Sequence, residues 1–437
     1  MPHLSHPNRI LAIACLASLV TLEPLAVGAG EWATPAPTRA VGTSSHAANG
    51  ELAPGTVINA GNAHAFARYL AAASNLAVAH GFVMNVLPSR HVQWSDGFEK
   101  ATEKYSPQVT LDEHDHLQNY IAGAPFPLID VTDPKAAVKI AYDWHMGPFM
   151  PDDFSIAPWS SNAYGADRGD PATLVSLQDH DYSCEQFEFL RFAHRTEIDP
   201  RPTLGGGGLG VEWKARCTQW NLASGDADNG EGAGIWVRHL SADSPDDFYA
   251  FSESSRRLRR MSVGLAAPNA PCRSCHQPYW AYALPKTEIY NYRLLGTTSL
   301  LACLQARDEP AGIAPEGGGY RLTGEPAELR QAYILEMTPA NDDPQIRTIV
   351  YVDSELFLWL AAEFYQGQER TALAVPLWRM HPAPEGGSLF DLAGSFYFPL
   401  GQPVLLRSLV PAGGAFTQKI NTGDLSEGEF NPNSLVR

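Results

Sequence analysis

Three runs decide the fold: Ala332-Tyr-Ile-Leu-Glu-Met337, Arg347-Thr-Ile-Val-Tyr-Val-Asp353 and Phe357-Leu-Trp-Leu-Ala-Ala-Glu-Phe-Tyr365. Each is short, rich in β-branched and aromatic residues, and separated from the next by Pro, Asn, Asp or Ser. That is the pattern of antiparallel strands joined by tight turns. The same texture extends in both directions from about residue 180 onward, giving further strands over Phe187–Glu197, Val211–Trp220, Gly234–Leu240, Glu288–Leu295 and Leu389–Phe398. Gly205–Gly208 falls between two of these runs with no helical pattern after it, so it reads as a hairpin loop and not as a phosphate cradle. No internal repeat is present.

The N-terminal part has a different period. Phe66, Tyr69, Leu70, Ala73 and Ala77 recur at helical spacing after Asn59, a good N-cap, and the pattern stops at His80-Gly81. A second helix is expected over Asp96–Tyr105. A third should begin at Asp133-Pro134, with Ala137, Ile140, Ala141 and Trp144 on its inward face. Residues 30–54 are Ala-, Pro-, Thr-, Ser- and Gly-rich without apolar period, a flexible leader. Before them, His3, His6 and Arg9 precede an apolar run from Ile10 to Val20 and the small residues Val27, Gly28 and Ala29. This is a secretory signal with cleavage expected after Ala29. Leu11-Ala-Ile-Ala-Cys15 offers a second reading, a lipid-modified cysteine. The division expected is therefore a signal peptide over 1–29, a leader over 30–54 and a single β-rich domain over 55–437, helical over 55–150.

Of the 437 residues, 44% are hydrophobic and 18% charged, enough for one large core or two modest ones. Lys plus Arg number 31 against 48 Asp plus Glu, and the formal charge of −17 argues against nucleic acid or an anionic membrane face as the main partner. The counts of 37 Gly and 34 Pro suit a chain of many strands and turns. The apolar stretch of the signal is far shorter than the roughly 20 residues of a membrane-spanning helix, and no later stretch reaches that length.

Several segments resemble, in order and over nearly all of the mature chain, the bacterial family known as domain of unknown function 1329. They are Gly55-Thr-Val-Ile-Asn59, Ala101-Thr-Glu-Lys-Tyr105-Ser, Ala122-Gly-Ala-Pro-Phe-Pro-Leu-Ile-Asp130 with Asp133-Pro134, and Phe189-Leu-Arg-Phe192 with Asp199-Pro-Arg-Pro202. Arg256-Arg-Leu-Arg-Arg260, Tyr290-Asn-Tyr-Arg-Leu-Leu-Gly296, Tyr351-Val-Asp353 and Phe430-Asn-Pro complete the match. The resemblance implies an α+β, β-dominated, LolA/LolB-like fold, with a large curved antiparallel sheet forming a half-open barrel and N-terminal helices closing one side. In that fold the half-barrel holds acyl chains. The resemblance therefore implies a protein of the periplasm or the periplasmic face of the outer membrane that binds or carries a lipid or other hydrophobic molecule, with an envelope exporter or outer-membrane protein as partner. It carries over no catalytic residue.

The sharpest local motif is Cys272-Arg-Ser-Cys275-His276. In an exported chain this is the c-type haem attachment pattern, in which two thiols bind the haem covalently and the adjacent imidazole ligates iron. Its second axial ligand would come from His145, Met146 or His194. The same thiols read equally as a disulfide or loop staple, while a zinc site needs a second ligand pair that is missing. Loss of Cys15 with the signal leaves Cys184, Cys217, Cys272, Cys275 and Cys303, an odd number. Cys184 and Cys217 flank the turn-rich segment Asp199–Gly210 and are expected to form a cross-strand disulfide. Cys303 is then left to pair with Cys272 or Cys275 if haem is absent.

Weaker constellations are His114-Asp-His116 after Asp112 and Glu113, which reads as a solvated loop, and the basic cluster Arg256, Arg257, Arg259 and Arg260. That cluster has two readings, a solvated face paired with nearby acids and a site for a lipid phosphate or partner protein. Trp144, Phe149, Phe154, Trp159 and Trp213 read as core or as the wall of a lipid pocket. No Gly-x-Ser-x-Gly, His-Glu-x-x-His or phosphate-loop pattern occurs, so no familiar hydrolase or nucleotide enzyme is indicated.

Overall fold

The computed structural model describes residues 52–147, 151–166, 173–176, 182–205, 210–222, 231–241, 244–263, 286–307, 312–340, 346–399, 405–411 and 417–436, all within the unit His46–Arg437. The N-terminal part contains β1 (Val57–Ile58), α1 (Ala72–Ala79), β2 (Val83–Val86), α2 (Asp96–Tyr105), the small hairpin β3 (Thr110–Leu111) and β4 (Leu117–Gln118), and α3 (Ala136–Met146). Strands follow, and among the described residues there is no further α-helix. They are β5 (Asp153–Ala157), β6 (Trp159–Ala166), β7 (Leu174–Ser176), β8 (Tyr182–Arg191), β9 (Val211–Leu222), β10 (Glu231–His239), β11 (Asp246–Ser252) and β12 (Arg257–Val263). Next come β13 (Tyr290–Ala302), β14 (Ile313–Glu316), β15 (Gly319–Leu322), β16 (Gly324–Pro339), β17 (Ile346–Asp353) and β18 (Trp359–Gln366). The last are β19 (Glu369–Pro382), β20 (Ser388–Pro399), β21 (Leu405–Pro411) and β22 (Thr417–Ile420).

One antiparallel ladder runs from β12 through β11, β10 and β9 to β8. The bent pair β5 and β6 then links β8 to β22 and β21. From β21 the ladder continues through β20, β19, β18, β17 and β16 to β13. Among the described residues β12 and β13 are its two ends, and they are not paired with each other, so the curled sheet is an open half-barrel.

Alternation along each strand sorts side chains into two faces. On the interior face, Phe189, Trp213, Leu335, Val350, Ala362, Ala374, Trp378 and Phe390 belong to one buried cluster with Ala137, Ile140, Ala141 and Trp144 of α3. Strands far apart in the ladder meet in that cluster because the sheet curls around α3. On the outer face α1 covers Leu373, Val375, Leu377, Phe396 and Phe398, and Ile235, Val237 and Phe251 pack under Leu435. Elsewhere the outer face is polar: Arg293 and Arg347 both bind Glu336, at 2.7 and 3.2 Å.

The sequence expectations of a strand-dominated fold and of helices at Asp96–Tyr105 and along the Ala137–Trp144 face are met. Several boundaries differ. The helix expected from Asn59 is broken: a 3-10 segment over Ala63–Tyr69 ends at Leu70, which is extended, before α1 starts. Both pieces still turn Phe66, Ala73 and Ala77 into the same cluster, so the apolar period survives the break. Asp133 sits in a turn before α3, its carboxylate accepting from the Lys135 amide at 2.8 Å, and the helix begins at Ala136. The strand expected to reach Glu197 stops at Arg191, because the amides of Thr196, Glu197 and Ile198 turn to wrap the Asp152 carboxylate at 2.7–3.2 Å. Strands over 153–166 and 369–382 were not foreseen. In the latter both faces are buried, which hides the alternation.

Candidate functional site

The interior face is apolar and graded in exposure. Its centre, around α3, is filled by the protein's own side chains: Trp144, Phe154 and Trp213 are each less than a tenth exposed. Packed against this centre from five strands are side chains that keep part of their surface in solvent: Phe187 on β8, Trp236 on β10, Tyr292 and Leu294 on β13, Phe364 on β18 and Tyr397 on β20. Register places them on the interior side. Phe364 faces Ala372 and Tyr397 faces Ala374, whereas the alternate residue Glu363 lies on the outer face opposite Leu373. The Phe364 and Tyr397 rings meet edge to face at 6.2 Å, and Trp236 lies 4.4 Å from Phe248. Among the described residues the apolar surface is thus a packed centre with a half-buried aromatic rim, not an open apolar cavity reaching α3. Sequence reasoning did not single out these rim residues, although the two-residue alternation that assigns their face was present.

At the C-terminal end of α3 the interior turns polar. Arg238 approaches Glu212 at 3.5 Å and Asp246 at 3.2 Å, and its guanidinium lies 3.1 Å from His145 Nε2. Lys286 donates to the carbonyl of Ser244 at 2.7 Å and lies 3.6 Å from Asp246. Burial pushes the Glu212 carboxyl up, but Arg238, His145, His194 and Arg191 outweigh it and hold the group below the usual range. Beside this belt is a pocket lined by Phe98, Met146, Asp152, Arg191, His194 and Glu197, with a volume of about 10 Å³, roughly one water. Glu197 accepts from the Ser95 hydroxyl, and burial raises its carboxyl. His194 bonds the Ile121 carbonyl through Nδ1 at 2.7 Å, stacks near Tyr120, and is held below its ordinary value by burial. Glu197 Oε2 and Arg238 Nε are buried without a hydrogen-bond partner among the described residues. No group of three or more His, Cys, Asp or Glu able to hold a metal occurs among the described residues.

Cys272, Cys275 and His276 lie outside the described residues, as do the signal, Cys15, Phe149, the side chain of Trp159 and Gly206–Gly208. Of the three axial candidates, Met146 and His194 line the same small pocket, and His145 has its Nε2 against Arg238. Cys184 and Cys217 are joined, with Cα atoms 5.9 Å apart. The two do not face each other, however: Cys184 is opposite Trp220 and Cys217 opposite Phe187. The ladder has no pair at Glu185 and Gln219, where Gln219 takes a φ of 46°, and this irregularity accompanies a bridge between offset positions. Cys303 is a free thiol, buried in the cluster under α1, and burial raises it far above the usual thiol range. Cys272 and Cys275, the partners considered for Cys303, lie outside the described residues.

His114 and His116 lie on the exposed β3–β4 turn, where Asp112 accepts from both backbone amides at 2.8 and 2.9 Å; this is the solvated loop expected. The four arginines divide into two kinds. Arg256 pairs with Glu253 at 3.3 Å, and Arg260 clamps Asp247 through two bonds of 2.9 and 2.8 Å. Arg257 and Arg259 are exposed and enter no ion pair among the described residues.

An open, curled antiparallel sheet with an apolar interior face and helices packed on it defines the class of fold. Solved structures similar to the chain include a DUF1329 family protein from Desulfovibrio piger, at 16% identity and a TM-score of 0.42 over 70% of this chain and 100% of the other. A putative outer membrane lipoprotein-sorting protein domain from Vibrio parahaemolyticus aligns over the same shares, at 13% identity and a TM-score of 0.42. A LolA superfamily protein from Nitrosomonas europaea aligns over 65% of this chain and 93% of its own, at 12% identity and a TM-score of 0.33. The family resembled by the sequence is thus represented among the structural neighbours. No protein-family model and no curated protein matches the chain.

Proposed function

We propose that this is an envelope protein that binds or carries a hydrophobic ligand, a lipid or a lipoprotein acyl chain, on the interior face of its open sheet. The observation that carries the reading is the half-buried rim of Phe187, Trp236, Tyr292, Leu294, Phe364 and Tyr397, contributed by five strands of a sheet whose end strands β12 and β13 are not paired among the described residues. Aromatic side chains left partly wet around an apolar centre give an alkyl chain a surface on which to lose water, at about 25 cal/mol per Å² of apolar area buried. The signal pattern at the N-terminus supports an envelope setting, with an exporter or outer-membrane protein as partner. The centre of the half-barrel is already packed, so the ligand lies along the rim. Titration with a fluorescent fatty-acyl probe tests the reading. Saturable binding that weakens on Leu294→Asp, in a variant that keeps its melting temperature, is expected, and a wild-type chain that leaves the probe in water contradicts it.

A second reading rests on Cys272-Arg-Ser-Cys275-His276, in which the same scaffold carries covalent haem c in a redox or sensor role. The two thiols would hold the haem and His276 would ligate its iron, supplying one-electron chemistry. The chain made in a host with haem-attachment machinery is denatured and its Soret absorbance measured. Absorbance retained by the polypeptide supports the reading, and a mass equal to the bare chain removes it.

A further inference from the structure

The sequence left two readings of Arg256, Arg257, Arg259 and Arg260, and the structure divides them between the four. Arg256 and Arg260 have acidic partners. Arg257 and Arg259 have none among the described residues, are exposed, and stand two residues apart on β12, so both project from one face of the terminal strand of the ladder.

Register identifies that face. Arg259 lies opposite Ala250, which lies opposite Gly234; Arg257 lies opposite Ser252, which lies opposite Gly232. The neighbouring row on the same face is Phe248 and Trp236, and Trp236 packs on the interior cluster. The intervening residues, Leu258 and Arg260, are on the other side, where Leu258 packs with Ile235 and Phe251 and Arg260 reaches Asp247. The two unpaired guanidiniums therefore belong to the interior face, at the open end of the half-barrel. Among the described residues, those between them and the aromatic pair are Gly232, Gly234, Ala250 and Ser252, none charged and none long.

We infer that Arg257 and Arg259 receive the anionic head of an amphiphile whose acyl chain lies on the Trp236–Phe248 side of the rim. This rests on the proposed function and names its ligand class: an acyl chain bearing a phosphate or carboxylate. In a chain with 48 acidic and 31 basic residues, two neighbouring cations without partners are a local reversal of sign. A guanidinium's donors fit an oxyanion, and such charge-assisted bonds are the stronger kind. Residues two apart along a strand are about 7 Å apart and neighbouring strands about 5 Å apart, so the arginines and the Phe248–Trp236 pair lie within the reach of one amphiphile, from its head along its first methylenes.

The test is a direct titration of the full chain with lysophosphatidylglycerol and with a monoacylglycerol of the same chain length, with inorganic phosphate as a third probe. The charged lipid should bind about tenfold more tightly than the neutral one. Arg257→Gln with Arg259→Gln should erase the difference while leaving neutral-lipid affinity unchanged, and Arg256→Gln should leave both affinities as they are in the wild type. Equal affinities in the wild type overturn the inference and leave the proposed function standing. Binding of neither lipid overturns both. Displacement of the charged lipid by an equal concentration of inorganic phosphate shows a site for phosphate alone and overturns the amphiphile assignment.

Discussion

Arg330 and Asp353 meet in a two-point contact inside the protein, Nε to Oδ2 at 2.7 Å and Nη2 to Oδ1 at 3.1 Å. Asp353 also accepts from the amides of Glu355 and Leu356, so one carboxylate fixes both the β16 arginine and the turn into β18. Arg330 also donates to Glu355 at 2.6 Å and to the Arg90 carbonyl at 2.9 Å, so removing Asp353 takes away its buried partner while leaving it a half-exposed one, and removes the acceptor that fixes the turn. Asp353→Ala should cost about 3–5 kcal/mol in urea denaturation. The double variant Arg330→Met with Asp353→Ala should cost less than the two single changes summed, because neither charge is left alone.

Asp143 on α3 is fully buried, accepts from the Phe126 amide at 2.8 Å, and has no partner for its second oxygen. Burial raises its carboxyl well above the ordinary value. A carboxyl that holds its proton more tightly when folded favours folding below the unfolded pKa, about 3.9, and that contribution is lost as pH rises through the folded value. Asp143→Asn should therefore raise the melting temperature near pH 7 and change it little near pH 4. A gain that is the same at both pH values would contradict this assignment.

The Cys184–Cys217 bridge spans 33 positions of sequence. The chain-entropy model assigns such a loop somewhat more than about 3 kcal/mol of stabilisation. Reduction under native conditions should lower the melting temperature while leaving the far-ultraviolet circular dichroism intact below it. An unchanged melting temperature would show the bond to be energetically idle.

Strand-rich architecture was legible in the sequence because one-faced strands such as Arg347–Asp353 alternate, and the inward face of α3 was legible because Ala137, Ile140, Ala141 and Trp144 keep helical spacing. Where burial is two-sided the signal fails: Leu373, Val375 and Leu377 go under α1 while Ala374 and Trp378 go to the interior, so this stretch shows no period. Ends of elements were lost to long-range partners, as when Asp152 draws three amides out of the strand expected to reach Glu197. The rim escaped notice for a third reason. Phe364 and Tyr397 come onto one rim with Phe187 and Trp236 through the curl of the sheet, which no local pattern encodes.

Trimming the rim should separate binding from stability. Trp236 is half-buried and packs on Phe248, so Trp236→Ala removes less buried surface than Trp378→Ala, whose ring is nearly inaccessible. We expect Trp378→Ala to cost about 3–5 kcal/mol. Trp236→Ala should cost less and should weaken acyl-probe binding more than any substitution under α1 on the outer face.

The central claim, that the interior rim is the acyl-binding surface, is tested most directly by photo-crosslinking. The chain is incubated with a lipid carrying a diazirine at the end of its acyl chain, irradiated, digested and mapped by mass spectrometry. The account predicts adducts on peptides containing Phe187, Trp236, Tyr292, Leu294, Phe364 or Tyr397, competed away by unlabelled lipid. Adducts confined to outer-face peptides, or none above those of an unfolded control, would contradict it.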